Sequence, residues 1–306
     1  MSEFKLTTPV AFIIFNRPDT TALVFAEIAK ARPPKLLVVG DGPRAHKAGE
    51  AERVTATRAI IEQIDWPCEV LTHFSETNLG CKKRVSSGIN WVFEQVEEAI
   101  ILEDDCLPDP SFFRFCQDML ARYRSDERIL MISGTNLSHE LIYEDDYYFS
   151  RYPHIWGWAS WRRVWRYYDV EMKDLDSLLS NENFRRSFEN KKEFNHWVRN
   201  LLSVKSNQVD TWDAQVVFLA FVKAQLTIFP AGNLITNIGF GPEATHTLKP
   251  NSWLANIPLK SMLLTGKNPN FFLQDRRAEK LRKMKEGIGV SRILRYTNYL
   301  ISKMRK

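Results

Sequence analysis

The sequence predicts an α/β protein with a mainly parallel sheet flanked by helices, and three observations carry that prediction. Apolar runs of four to seven residues, the length of strands, alternate with longer amphipathic stretches through the first third of the chain. The first, second and fourth runs are almost uninterruptedly apolar, as in strands covered on both faces. Polar and charged residues follow every run, and right-handed crossovers would gather those strand ends on one rim of the sheet.

The run at 9–15, PVAFIIF, opens the sheet, and a helical pattern from Asp19 to Ala31 carries the chain back. KLLVV at 35–39 is the second strand, followed by a helix from Glu50 to Ile64. CEVLTHF at 68–74 is the third, and a helix from Cys81 to Val96 leads into the fourth, AIIL at 99–102. Asp109 suits an N-cap and Pro110 a first helical position. Phe112, Phe113, Cys116, Met119, Leu120 and Tyr123 then mark the inward face of a helix. The second half is less regular. ILMIS at 129–133 and LTIF at 226–229 read as strands, with several helical segments between them and a glycine-rich stretch, GNLITNIGFGPEATHT, at 232–247. Trp158, Trp161 and Trp165 have the spacing of a helical stripe.

A chain of 306 residues can bury a full core, and 44% hydrophobic with 26% charged residues is an ordinary globular composition. No stretch approaches the roughly 20 apolar residues that span a bilayer. The first apolar run meets Asn16 and Arg17 too soon for a signal peptide. Cys68, Cys81, Cys106 and Cys116 show neither zinc nor disulfide spacing, so a cytosolic protein with reduced thiols is expected. Charge is uneven. From Arg276 to Lys306 there are 11 cations and 2 acids, a local net of +9 within a total of +5, which leaves −4 on the rest.

The rim of strand ends carries Asn16-Arg17, GDGPR at 40–44, SETNLG at 75–80 and EDD at 103–105. Open α/β sheets bind ligands there. If the strand continued, Glu103 and Asp105 would share one face and Asp104 would take the other. A run of acids is most often a solvated turn, but this one stands at a strand end among apolar neighbours. Consecutive carboxylates suit Mg2+ or Mn2+, which completes its shell with phosphate oxygens. A metal-bridged diphosphate is the sharper expectation.

The segment ILEDDCLPDPSFFRF resembles the EDD segment of inverting N-acetylglucosaminyltransferase I-like enzymes, where a Pro and a Phe-Phe helix also follow the acids. The N-terminal half is similar to the bacterial family 2 glycosyltransferases. PVAFIIFNRPD looks like their first strand and donor-binding turn, VVGDG like the second strand with its base-binding acid, and NLGCKKRVSSGIN like the N-x-G segment and its basic helix. The match covers residues 9–250 and is strongest at 99–115. It implies a GT-A fold, a Rossmann-like and spore-coat-protein-like mixed sheet, mainly parallel, with a mostly helical acceptor side. It also implies that Asp105 ligates the metal, Asp104 approaches the ribose and Glu103 the donor sugar or a nearby basic group. Arg17 and Asp41 would contact the nucleotide, and Lys83 or Arg84 the diphosphate. EDD replaces the commoner DxD here, which leaves the role of the first acid open.

An inverting transferase needs a carboxylate to take the acceptor's proton. QVDTWDAQVVF offers Asp210 and Asp213, and its W-D pair resembles the Trp-Asp-Asp segment that holds the base in N-acetylglucosaminyltransferase I. The resemblance therefore implies Asp213, which also reads as the N-cap of a helix over 214–224. Ala214 stands where that segment has its second acid. His246 falls where many GT-A enzymes place a late metal ligand, with Glu243 as the lesser candidate, although a lone His is more often structural or simply exposed. Trp156 and Trp158 are the indoles assigned to sugar contact, Trp161 and Trp165 to the core.

The basic tail, with Ile288, Val290, Ile293, Leu294 and Leu300 among its cations, would be drawn to anionic lipid, each cation near the surface being worth about 1 kcal/mol. No nucleic-acid motif accompanies the charge. The sequence thus predicts one catalytic domain over 1–274, with about 1–125 binding a nucleotide sugar and about 126–274 the acceptor. Residues 275–306 would form an amphipathic tail. The expected enzyme is a cytoplasmic, Mn2+- or Mg2+-dependent glycosyltransferase, peripheral on the inner membrane face. It would move a sugar, from a UDP-sugar by the base-binding acid, to a saccharide or lipid-linked hydroxyl. A sugar-1-phosphate nucleotidylyltransferase is the enzymatic rival, disfavoured because FNRPD lacks the glycine-rich phosphate loop. A non-catalytic membrane-surface binding protein of the same fold is the other.

Overall fold

The computed structural model of the chain describes residues 4–241, 253–255 and 257–288. Its first part alternates as the sequence predicts. In order come β1 (Val10–Ile14), α1 (Pro18–Ala31), β2 (Lys35–Gly40), α2 (Glu50–Ala59), β3 (Glu69–Phe74), α3 (Cys81–Gln95) and β4 (Glu98–Glu103). A short β5 (Cys106–Pro108) leads to α4 (Ser111–Arg122) and β6 (Ile129–Ser133). The carboxylate of Asp109 accepts the Ser111 amide at 2.8 Å at the start of α4.

The second part holds β7 (Tyr147–Ser150), β8 (Trp158–Trp161), α5 (Arg162–Trp165), α6 (Leu175–Ser180), α7 (Glu182–Arg186), α8 (Lys191–Lys205) and α9 (Ala214–Lys223). It ends with β9 (Leu226–Pro230), β10 (Ile235–Asn237) and α10 (Arg276–Glu286). Eight strands form one mixed sheet in the order β3-β2-β1-β4-β8-β6-β9-β7. The first four are parallel, β8 runs antiparallel to β4 and β6, and β6 is parallel to β9. β1, β2 and β4 are buried along their lengths, as their unbroken apolar runs require, while β3 is the more exposed edge.

Helix α3 packs on β1, β2 and β4, and α4 on β4, β6 and β8. A second apolar cluster, separate from the sheet core, includes Tyr152, Phe184, Phe194, Trp197, Leu201 and Phe221. It forms the core of the mostly helical second part.

One expectation is corrected. Trp158 and Trp161 belong to strand β8, and only Arg162–Trp165 is helical. Hydrogen bonding to strands on both sides overrides the local 3–4 spacing of the indoles. The described part of the basic tail forms α10 and packs on the body. Glu279 of α10 accepts from Ser150 Oγ at 3.1 Å and from the Arg151 amide at 3.0 Å. Lys283 pairs with Glu189 and Glu193, and Lys285 with Glu140, so part of the tail's charge is spent on the body. Residues 289–306 lie outside the described residues, and no helix among those described is long and apolar enough to cross a membrane.

Candidate active site

Strands β1 and β4 are parallel neighbours, and the chain reverses its course across the sheet between them, with Ile13 beside Glu103. A crevice opens outside the strand ends at such a switch point. The turn after β1 and the acids after β4 face each other there.

Strand β4 stops at Glu103 and a turn follows, so the predicted alternation does not reach the next two acids. Both converge on Arg17, the residue before the Pro18 that opens α1. Its Nη2 lies 2.8 Å from Asp104 Oδ1 and its Nη1 donates to Asp105 Oδ2 at 3.1 Å. The Phe15 amide donates to the other oxygen of Asp104 at 3.0 Å. Asp104 therefore spends both oxygens on the chain itself, which counts against its expected approach to a ribose. Burial opposes the Arg17 charge, but Asp104 and Asp105 outweigh it and hold the guanidinium above its ordinary value. Burial pushes Asp104 up to about 6, with Arg17 partly offsetting it.

The Glu103 carboxylate makes no hydrogen bond among the described residues. Burial first, then the charges of Asp105 and Asp104, push its carboxyl well above the usual range. Strands β5 and β10 pair antiparallel, and the Ile238 amide donates to the Asp105 carbonyl at 2.8 Å. This lays Gly239 directly on the acids. A Cβ there would run into Asp105 Oδ2 and lie 2.6 Å from Arg17 Nη1.

Beside the acids lies a cavity of about 190 Å³, walled by Phe15, Arg17, Asp41, Arg44, Asn78 and Arg84, with Cys81, Glu103 and Asp210 also on its lining. Asp41 clamps two loops. It accepts the amides of Gly42, Leu79 and Gly80 at 2.9, 3.0 and 3.2 Å and Asn78 Nδ2 at 3.0 Å. Burial nevertheless raises its carboxyl above the usual value. Arg84 is buried, donates to the His73 carbonyl, and leaves its Nε without a partner among the described residues. Arg44 is held by Glu50 and lies 5.6 Å from the centre of the Phe15 ring. An aromatic face and several polar and cationic groups thus bound a slot beside the carboxylates. A larger groove of about 1120 Å³ runs along β7, but its Asp275 and Arg277 pair with each other and it shares no residue with the acids.

Asp213 caps α9, accepting the Ala214 amide at 2.9 Å and the Thr211 hydroxyl, both on Oδ1. Its Oδ2 has no hydrogen bond among the described residues. Its charge is close enough to act on Glu103 and on Cys81.

The structure thus brings together Arg17, Asp41, Arg84, Glu103, Asp104 and Asp105, with Asp213 nearby. It does not bring Lys83, which is exposed on α3. Trp158 is also removed from the site. It is 2% exposed, stacked near Trp212 and Trp165 in the core, because β8 is an interior strand. Trp156 is half-buried and meets His154 and Phe240 edge-on. His246 and Glu243 lie outside the described residues. Sequence reasoning missed Phe15, Arg44, Asn78 and Cys81 as wall residues, although Arg44 and Asn78 stand in the rim segments it singled out and Phe15 and Cys81 directly adjoin them. It weighed Asp210 only as a base.

No group of three or more metal-ligating side chains occurs among the described residues. Mg2+ and Mn2+ do not demand one, since one or two carboxylates with phosphate oxygens suffice. Among the described residues Asp105 Oδ1 meets only the Cys106 thiol, at 3.5 Å, and the Glu103 carboxylate, without a hydrogen bond among them, is the neighbouring acid. The cavity lining sets Arg17, Arg44 and Arg84 against Asp41, Glu103, Asp104 and Asp210, so an entering diphosphate meets at least as much negative as positive charge. The residues fit a hard divalent cation held by Asp105.

No family model and no curated protein matches the chain. Among solved structures it is similar to a UDP-glucose pyrophosphorylase complexed with UDP-glucose, at 11% identity over 73% of this chain and 90% of that one, with a TM-score of 0.36. It is similar to mouse xyloside xylosyltransferase 1 in its apo form, at 11% identity over 70% and 81%, TM-score 0.32. It is also similar to an active-site mutant of LgtC, at 10% identity over 93% and 97%, TM-score 0.38.

Proposed function

We propose that the chain is a glycosyltransferase of the GT-A type, moving a sugar from a nucleotide-diphosphate sugar, UDP-linked by preference, to a hydroxyl of a saccharide or lipid-linked acceptor with inversion. One observation carries the reading. A cavity with an aromatic face and arginine walls opens at the switch point beside Glu103, Asp104 and Asp105, and a capped carboxylate with one free oxygen stands near it. In this reading the slot between Phe15, Asp41, Asn78 and Arg84 takes the nucleoside, and Arg17 and Asp105 meet the diphosphate end. Mn2+ or Mg2+ on Asp105 would supply charge for the leaving diphosphate. Asp213 Oδ2 takes the acceptor's proton as its oxygen bonds to the anomeric carbon and the bond to the diphosphate breaks. Trp156 is assigned to acceptor or donor-sugar contact and His246, from the glycine-rich segment, to the metal.

A nucleotidylyltransferase is the weaker reading, since the turn into α1 places Arg17 on the acids where a phosphate loop would present amides. Localisation on the inner membrane face remains part of the proposal through the basic residues after α10. The test is a panel of sugar nucleotides, measured for binding and slow hydrolysis with Mn2+ and after chelation. Donor binding with nucleoside diphosphate release, lost in Asp105→Ala, is expected. Binding of no sugar nucleotide would refute the reading.

A further inference from the structure

Asp210 stands in the loop between α8 and α9, yet its carboxylate is engaged by a helix far away in sequence. Oδ2 accepts the Cys81 amide and Oδ1 the Lys82 amide, both at 3.1 Å, at the N-terminus of α3. These amides have no partner within the helix, and a carboxylate there also meets the favourable end of its dipole. The approach is close. Gly80 holds φ at +80°, and a Cβ on it would lie 3.0 Å from Asp210 Oδ2. A second tie joins the same two segments, from Lys82 Nζ to Asn207 Oδ1 at 3.1 Å.

Three residues beyond Asp210 is Asp213. Between them Trp212 is buried, with its carbonyl accepting the Tyr168 hydroxyl at 2.9 Å. The stretch 210–213 is therefore pinned at α3, in the core and at the start of α9. Only the first pin joins it to the donor-side wall. We propose that Asp210 is a positioning residue, tying the acceptor-side loop to the start of α3 so that Asp213, three residues on, keeps its place and the cavity is closed along Cys81. This rests on the glycosyltransferase reading for its consequence in turnover, though the tie itself does not. The charges of Glu103, Asp210 and Asp213 all reach the Cys81 thiol, in keeping with one shared junction.

The experiment uses the full chain and Asp210→Ala, with Asp210→Ser as a conservative variant able to accept an N-terminal amide. Site-resolved alkylation of Cys81, with buried Cys106 and Cys116 as internal controls, reads the tie directly. Labelling of Cys81 at least about tenfold faster in Asp210→Ala, with the controls unchanged, is expected. Hydrolysis of the best donor from the panel should lose about tenfold or more in kcat with little change in KM, because a misplaced group costs chiefly turnover. Asp210→Ser should recover part of both. Unchanged Cys81 labelling, or unchanged kcat in a wild type that hydrolyses donor, overturns the proposal. If the wild type hydrolyses no donor, the functional reading has failed, and the labelling arm still decides the tie.

Discussion

Replacing Arg17 by Met removes the one cation that pairs with both Asp104 and Asp105 among the described residues. The side chain of Asp104 is 4% exposed and that of Arg17 20%, so water cannot replace the lost partner. Breaking a buried pair from one side costs about 3–5 kcal/mol. Asp104 can escape part of this by taking up a proton, because burial already holds it at about 6 with Arg17 in place. The sign follows from linkage. A carboxyl raised in the folded state binds more protons there than in the unfolded chain, so stability falls as pH rises through the folded value. In the wild type that fall spans about pH 4 to 6. Without Arg17 the folded value rises further and the fall continues above pH 6.

Urea unfolding of Arg17→Met against wild type should therefore show a deficit near 3 kcal/mol or more at pH 8 that shrinks toward pH 5. Mn2+ should restore part of it. A ligand at one hundred times its Kd adds about 2.7 kcal/mol, and the uncovered acids are its site. A deficit below about 1 kcal/mol at every pH, as for an exposed pair, would refute the buried-cation argument. Failure of Mn2+ to stabilise either protein would refute the metal assignment.

Gly239→Ala should weaken nucleoside diphosphate binding about tenfold by calorimetry, since its Cβ would displace Asp105 from Arg17; unchanged affinity would count against the closed geometry. Glu50→Gln tests the Arg44 wall: Arg44 above all holds the Glu50 carboxyl down to about 2, so this contribution is complete above pH 4.5 and disappears as pH falls toward 2. The variant should be less stable at neutral pH, with a shallower acid limb in a pH series of melting curves. Asp213→Asn separates two roles, because Asn caps a helix as well as Asp; melting should be unchanged while donor turnover falls about a hundredfold or more. Asp213→Ala should lose the same turnover and, in addition, about 1 kcal/mol of stability.

The first four strands and the helices between them were legible because each repeats a local period that burial then satisfies. Leu36 to Val39, for example, are all fully buried. Strands β7, β8 and β10 were not legible, since three or four residues such as Ile235–Asn237 carry too little pattern and exist through their partners. The location of the acids at the rim could be read from the sequence. Their division of labour could not, because Arg17 and Asp104 are brought together by parallel pairing of β1 with β4. The tie of Asp210 to α3 was invisible for the same reason, its two amide partners lying 128 and 129 residues away. Local sequence sets the elements, whereas the charge pairs that define this crevice are products of topology.

That division gives a final prediction about how ligands load. Among the described residues Asp104 is satisfied on both oxygens, Asp105 by Arg17 on one and by the Cys106 thiol alone on the other, and the Glu103 carboxylate on neither, so an added cation meets Asp105 and Glu103 while Asp104 keeps Arg17 in place. A diphosphate arriving alone faces the acids of the wall; arriving with Mn2+ it brings the missing positive charge. Metal and nucleotide must then bind with positive coupling, and linkage makes the factor the same in both directions. Calorimetry should show UDP binding more tightly in Mn2+ than in chelator, by about five- to 150-fold for a typical coupling of 1–3 kcal/mol, and Mn2+ binding more tightly to the UDP complex by the same factor. In Asp105→Asn the coupling should collapse while weak nucleoside binding, which depends on Phe15, Asp41 and Arg84, persists. Equal UDP affinity with and without metal in the wild type would mean that Arg17 already supplies all the charge the diphosphate needs.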